Sequence, residues 1–360
     1  MNVPKIRFNG FEEEWQENKL CDIARIAMGQ SPNSENYTND SNDTLLIQGN
    51  ADLNNGKVIP RLFTKQVTKT CDKNDIIMTV RAPVGDIAIS DYNACIGRGV
   101  CSIKSSKFVY HYLDYLKMKD YWKKISKGST IDSITSDDIK SLLIKTPNKK
   151  EEEKIIKTID LINKKIELQS KKIEDLKLFK KGLSTTIFNS LRDFEEYKLG
   201  KICNITTGKL DANAMIDNGK YRFYTCAKEY SLIDKYAFDT EALLISGNGA
   251  YVGYIHYYKG KFNAYQRTYV LDNFSQNIQF IKCYLEENLA KRINSEKKEG
   301  NTPYIVLSTL SDMVIKIPSK ENQIKISNII NCHNKKIELE ENKLLKLQEF
   351  KKGLMQSMFV

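Results

Sequence analysis

Apolar positions follow two rhythms along this chain. Between residues 151 and 188 they fall at Ile159, Ile162, Ile166, Ile173, Leu176 and Leu183, spaced by three, four and seven among lysines and glutamates. That spacing predicts a long helix with one narrow apolar seam, which needs a second helix to cover it. The seam returns at Ile330, His333, Ile337, Leu344, Leu347 and Leu354. Whole phrases return with it. Asn163-Lys164-Lys165-Ile166-Glu167-Leu168 recurs as Asn334-Lys335-Lys336-Ile337-Glu338-Leu339, and Phe179-Lys180-Lys181-Gly182-Leu183 as Phe350-Lys351-Lys352-Gly353-Leu354. The offset is 171 residues in both phrases (337 − 166; 353 − 182) and again from Pro147 to Pro318. A constant offset over so long a stretch marks an internal duplication. Each copy follows its proline and carries acid early (Glu151, Glu152, Glu153; Glu321), where the helix dipole favours it. About 38 residues at ~1.5 Å each give a rod of roughly 55–60 Å, and the partner expected for each copy is the other. Two seam positions are polar in both copies, Gln169 with Glu340 and Lys180 with Lys351, a pattern that sacrifices stability and can fix register. His333 stands where the first copy has Ile162, and a packed neutral histidine is expected there.

The second rhythm is shorter. From about Trp15 to Pro147, brief apolar runs (Thr44–Ile47, Asp75–Val80, Ile87–Ile89) are broken by Gly, Asn and Asp, as in strands joined by polar turns. A helix is expected from Tyr110 to about Ile125, then a turn at Lys127–Thr130 and a strand at about Ser141–Lys145. The same order resumes after the first long helix. Phe194–Leu199 echoes Phe11–Trp15 with Lys19-Leu20, Thr206–Lys209 stands where Ala27–Gln30 stood, and Gly253 matches Gly85. A helix at Lys282–Ile293, a turn at Gly300–Thr302 and a strand at Val314–Ile317 complete the second unit, about eight residues shorter than the first. The duplicated rods are nearly alike while the globular heads differ in most side chains, so one frame presents two unlike surfaces.

Composition narrows the function. Net charge is +11 and the isoelectric point is near 9.0, which suits a polyanionic partner, and the basic residues are mixed with acids throughout. The eight cysteines are scattered singly and the three histidines lie far apart, so no zinc site is predicted, and reduced thiols in a cytoplasmic protein are expected. No stretch approaches the ~20 apolar residues of a membrane span, and Met1–Lys5 is unlike a signal peptide.

Catalytic patterns are missing. Gly247-Asn248-Gly249 follows an apolar strand, but the aromatic run Tyr251–Tyr258 after it predicts a second strand, hence a hairpin and not a phosphate-binding loop. Glu152-Glu153-Lys154 has the letters of a nuclease site, yet it sits at a helix start. No Asn-Pro-Pro-aromatic tetrapeptide of an amino-methyltransferase occurs. Binding is left. Polar and basic side chains in the Gly-rich turns are the candidates to face nucleic acid: Gln30, Ser31, Asn33, Arg81, Arg98, Lys127, Ser129 and Thr130 in the first head. The second offers Lys209, Arg222, Thr225, Lys228, Asn248, Gln266, Arg267, Asn301 and Thr302. Arg can read guanine and Asn or Gln adenine, and others would grip phosphate without reading sequence. Tyr221, Phe223 and Tyr224 are expected to pack in the core or at its edge. A catalytic DNA enzyme and a protein-binding scaffold are the competing readings. The first predicts chemistry from the isolated chain, the second no salt-dependent, sequence-selective DNA binding.

Two divergent heads, each followed by a helix ending Phe-Lys-Lys-Gly-Leu, resemble the specificity subunit of type I restriction-modification systems. Trp15–Leu20, Gly29-Gln30-Ser31-Pro32, Ile144–Pro147, Gly208–Asn213 and Asn263–Thr268 add to the likeness. The resemblance implies an α+β chain. Two target recognition domains, residues 1–150 and 191–320, would be separated by spacer helices, 151–190 and 321–360, paired as an antiparallel coiled coil with a pseudo-two-fold repeat. Each head would read half of a split, asymmetric double-stranded DNA site. The chain itself would hold no cofactor, metal or catalytic residue. Two methyltransferase subunits, bearing S-adenosylmethionine, and ATP-dependent restriction subunits would supply the chemistry.

Overall fold

A computed structural model describes residues 3–126, 133–296 and 304–359. It divides into two units, Met1–Gln169 with Lys343–Val360, and Ser170–Asn342. The division falls inside both long helices, Lys149–Asn189 and Lys320–Met358.

In the first unit Gln16–Lys19 pairs antiparallel with Leu143–Thr146 and leads into a one-turn helix, Leu20–Ile23. A six-stranded sheet carries Arg25–Met28, Val100–Lys104, Ile76–Thr79 and Ile87–Ile89 as successive neighbours. A second, five-stranded sheet includes Ala94–Ile96 running parallel to Thr44–Ile47. Lys107–Met118 lays Phe108, Tyr112, Leu113 and Leu116 into the core. The single helix expected over Tyr110–Ile125 is two, Lys107–Met118 and Tyr121–Ser126, because Asp120 adopts φ +53° between them. A short polar side chain tolerates that left-handed geometry and ends the first helix.

The core of this unit is completed by helix ends. Ile155 and Ile159 enter from the first long helix, and Met355, Met358 and Phe359 from the second. The Phe359 ring lies 5.3 Å from Tyr115 and 5.6 Å from Tyr112. Burying such a ring contributes roughly 2–3 kcal/mol.

The second unit repeats the plan. Glu195–Lys198 pairs with Val314–Ile317 and leads into Leu199–Ile202. These registers make Phe194 the counterpart of Trp15; the echo placed at Phe11 in the sequence is four residues early. Its one large sheet runs Asn204–Thr207, Thr268–Asp272, Phe238–Ser246, Ile255–Ala264, Tyr221–Tyr224, Ser231–Ile233. Phe238–Ser246 and Ile255–Ala264 form the hairpin expected around Gly247-Asn248-Gly249. Ile278–Glu296 covers the sheet, and Phe188 and Ile330 enter the core from the two long helices. Phe188 and Phe359, and likewise Ile159 and Ile330, are 171 residues apart, so the duplicated helices dock their heads with the same side chains.

Every seam residue named from the sequence is buried or half-buried, whereas Leu168, Leu339, Phe179 and Phe350 on the same helices are exposed. Within the second unit Lys172 pairs with Glu340 at 3.0 Å, Lys177 with Glu341 at 2.6 Å, and the Phe179 ring meets His333 at 5.2 Å. From Lys172–Glu340 to Phe179–His333 the residue numbers rise along one helix and fall along the other. The polar positions Lys180 and Lys351 do not serve the seam as read from the sequence. Lys351 Nζ reaches Asp114 at 2.8 Å and Lys180 Nζ reaches Glu286 at 3.7 Å, each on the covering helix of its own head.

His111, wholly buried, places Nε2 3.0 Å from Asp160 Oδ1 on the first long helix. Burial pushes its pKa down to about 4, outweighing the adjacent carboxylate, which acts the other way. The unfolded chain takes up this proton near pH 6.5 and the folded chain only near 4. The stability linked to neutral His111 is thus present above pH 6.5 and is lost as pH falls toward 4. Between pH 7 and pH 5 we expect a loss of roughly 2 kcal/mol in denaturant titrations, with a shallower pH slope in His111→Gln. Identical slopes would remove His111 from the account.

Candidate nucleic-acid interface

Several of the turns singled out from the sequence converge among the described residues of each head, and backbone hydrogen bonds show how. In the first head Gly29 N donates to Val100 O, Gln30 N to Ile96 O, Gly97 N to Ile47 O, Val80 N to Gly99 O, and Ile134 N to Val80 O. In the second, Gly208 N donates to Thr268 O, Gln266 N to Leu210 O, Tyr265 N to Tyr224 O, Gly247 N to Arg267 O, and Ile305 N to Gly247 O. The two sets describe one frame. Tyr221–Tyr224 lies parallel to Phe262–Ala264 as Thr44–Ile47 lies to Ala94–Ile96, which aligns Gly97 with Tyr265 and Arg98 with Gln266. By the same bonds Arg81 matches Asn248, Gln30 matches Lys209, Gln48 matches Thr225, and Gly85 matches Gly253.

Close backbone approach makes the frame stiff. A Cβ on Gly29 would lie 2.1 Å from Gly97 O, and one on Gly208 would lie 1.8 Å from Ala264 O. Backbone oxygens in a paired turn cannot step aside as a side chain would. Gly208→Ala is therefore expected to cost about 1–3 kcal/mol, as overpacking does, and to displace the Tyr265–Arg267 turn. Urea titration checks the first effect, and an unchanged midpoint would show that the turn yields.

The candidates then sort by position. Gln30, Ser31 and Arg98 surround one turn, where Ser31 Oγ accepts from Arg98 N at 3.1 Å and Thr68 Oγ1 donates to Gln30 O. Arg81 joins them through the Val80–Gly99 bond and bridges to Ser133. Asn33 N donates to Gln66 Oε1 at 2.9 Å. In the second head Lys209, Asn248, Gln266, Arg267 and Thr225 lie on the corresponding turns. There Gly247, Gln266, Arg267, Tyr269, Tyr304 and Ile305 line a cleft of about 350 Å³.

Arg222 stands apart. Its guanidinium lies between the rings of Tyr230 and Tyr258, 4.3 and 4.6 Å from their centres, and donates to Tyr224 OH at 3.3 Å. Lys228 Nζ lies 5.3 Å from the Tyr251 ring. Phe223 and Tyr224 are core residues and Tyr221 is half-buried. Lys127, Ser129, Thr130, Asn301 and Thr302 lie outside the described residues.

Sequence reasoning missed Gln48, Gln66, Asp211 and Tyr304. Gln48 is the counterpart of Thr225, which was named, and Asp211 accepts a 2.6 Å bond from Gln266 Nε2. Only the alignment of the two heads finds Gln48, and that alignment is hidden by strands of the first head that the second lacks. Among the described residues no group of His, Cys, Asp and Glu is arranged to hold a metal, and no helix is long and apolar enough to cross a membrane.

Comparison with known proteins agrees with this duplicated plan. The model of the type I restriction modification DNA specificity domain matches residues 12–178 and again 192–349. The chain is 35% identical over 165 residues to the type I restriction enzyme EcoDI specificity subunit of Escherichia coli, covering 46% of this chain and 36% of that one. It is 36% identical over 179 residues to the putative MjaX specificity subunit of Methanocaldococcus jannaschii, covering 48% and 42%. These matches span less than half the length of either relative. The MjaIX specificity subunit of the same organism aligns over 95% of this chain and 92% of its own length at 23% identity. The crystal structure of the type I restriction-modification S subunit from M. genitalium shares the fold, with a TM-score of 0.67 at 20% identity over 99% of both chains. With mixed α and β heads and the family's domain occurring twice, the chain belongs to the type I restriction-modification specificity subunits.

Proposed function

We propose that this chain is the DNA-recognition subunit of a type I restriction-modification complex and reads a split, asymmetric site, one half with each head. The observation that carries this reading is the shared hydrogen-bonded frame whose exposed side chains differ between heads. One frame gives one mode of docking on a duplex, and unlike side chains give unlike half-sites. The spacer helices pair as an antiparallel coiled coil, relate the heads by a pseudo-two-fold axis, and set the number of base pairs between half-sites. Supporting this are the duplicated seam, its burial, and the opposed contacts Lys172–Glu340 and Phe179–His333. Matching rod ends suit two methyltransferase subunits, which bind S-adenosylmethionine, methylate adenine and act with ATP-dependent restriction subunits in the cytoplasm. Adenine methylation within a duplex requires base flipping, so the recognition subunit holds DNA while its partners work on it. The chain itself is non-catalytic.

The test is methylome sequencing of a strain carrying the chain with its methyltransferase. A two-part adenine-methylated motif with a fixed gap is the expected result. A contiguous motif, or adenine methylation by the isolated chain, would overturn the proposal.

A further inference from the structure

The paired turns Gly97-Arg98-Gly99 and Tyr265-Gln266-Arg267 bear on what each head reads. Arg98 is exposed at the apex of its turn, and its backbone is held on both sides. Its N–H donates to Ser31 Oγ, Gly97 N donates to Ile47 O, and Gly99 O accepts from Val80 N. A Cβ on Gly99 would lie 2.1 Å from Gln48 O, so the turn is seated directly on the neighbouring chain. The guanidinium has no hydrogen bond or ion pair to any other described residue. A fixed base under an unpaired, planar five-donor fork suits the rigid pairing of guanine O6 and N7, which the flexible point charge of a lysine makes less rigidly.

The second head fills the same place with Gln266, and its amide is oriented. Nε2 donates to Asp211 Oδ1 at 2.6 Å, and among the described residues its second N–H and its carbonyl oxygen have no other partner at the edge of the 350 Å³ cleft. One donor and one acceptor side by side are the complement of adenine N7 and N6. A residue that only grips phosphate has no need of a partner that fixes its amide plane, and an acidic neighbour works against phosphate contact.

Resting on the recognition function proposed above, we infer that Arg98 and Gln266 are equivalent base-reading residues. Arg98 reads a guanine in the half-site of the first head, and Gln266, held by Asp211, reads an adenine in that of the second.

The experiment selects randomised duplexes with the full chain in complex with its methyltransferase subunits, comparing wild type with Arg98→Gln, Arg98→Lys and Gln266→Arg. Thermal melting of each complex checks folding. A wild-type complex that selects no two-part sequence would refute the recognition reading itself. Given a two-part wild-type site, Arg98→Gln and Arg98→Lys should each lower preference for one guanine by about 5-fold to 100-fold and leave the other half-site unchanged. Gln266→Arg should relax one adenine in that other half. Retained guanine selectivity in Arg98→Gln, or equal weakening on all sequences with a smaller salt dependence, would make Arg98 a phosphate contact and overturn the inference. So would a change at the same half-site in both the Arg98 and the Gln266 variants. If a complex melts early, selection with Ser31→Ala, which loosens the Arg98 turn, gives the same reading. It should blur that one guanine, and unaltered selection there would overturn the assignment.

Discussion

Ile159→Asp is expected to cost the first unit on the order of 4–5 kcal/mol, and Ile330→Asp the second unit as much, enough to unfold a marginally stable domain. Ile159 is 0% and Ile330 1% exposed, and each lies at the equivalent point of its duplicated helix, inside the core of a head. Removing either aliphatic chain alone costs about 2–5 kcal/mol through lost burial and a residual cavity. The carboxylate adds a charge inside an apolar core cluster. Leu168→Asp and Leu339→Asp are the controls. These residues are 55% and 61% exposed on the same helices, and their substitution should change stability by no more than about 0.5 kcal/mol. Limited proteolysis should cut the first head preferentially in Ile159→Asp and the second in Ile330→Asp. Wild-type melting of the Ile159 variant would mean that the helix end is not part of that core.

Glu151→Ala should be the next most damaging change, at about 3–5 kcal/mol. Glu151 is 1% exposed at the start of the first long helix. Its two oxygens take Arg7 Nε at 2.7 Å and Arg7 Nη2 at 2.8 Å, and Oε2 also accepts from Trp15 Nε1 at 3.3 Å. Asn148 Oδ1 accepts from the Glu151 N–H at 3.0 Å, closing the helix start. Losing the carboxylate leaves a guanidinium only 10% exposed without its counter-ion, and an indole N–H without an acceptor. Much of the cost is therefore the stranded partner. The double variant Arg7→Met, Glu151→Met should recover a large part of it, and a double variant no more stable than Glu151→Ala would show that the loss lies elsewhere.

The long helices were legible because a heptad seam is a local pattern, readable without knowing what lies across it, and because it is written twice. The hairpin around Gly247-Asn248-Gly249 was legible for the same reason, although Tyr251–Tyr254 close its turn and the strand expected over Tyr251–Tyr258 begins only at Ile255. The destination of polar residues on those helices was not. Periodicity assigned Lys180 and Lys351 to a seam, but it cannot show that Glu286 and Asp114 on the covering helices come within reach. Strand pairing was also out of view. Parallel pairing of Tyr221–Tyr224 with Phe262–Ala264 joins residues some forty apart, and this contact and the backbone bonds around it equate Gln266 with Arg98. Arg222 illustrates the converse. A basic residue expected in a turn drew notice for its charge, but it lies on strand Tyr221–Tyr224, and the rings it meets come from Tyr230, just before Ser231–Ile233, and from Tyr258 on Ile255–Ala264.

The boundary between units runs through the middle of each rod, and this has a consequence for grafting. A head transplanted alone, residues 194–317 for instance, would leave Phe188 and Ile330 behind and meet a foreign floor. A chimera spliced near Gln169 and Asn342 carries each floor with its own head, and the constant 171-residue offset between the two rods keeps such a splice in phase. Modular inheritance in this molecule therefore has its natural seams inside helices, away from the loops that a sequence-based surgeon would cut.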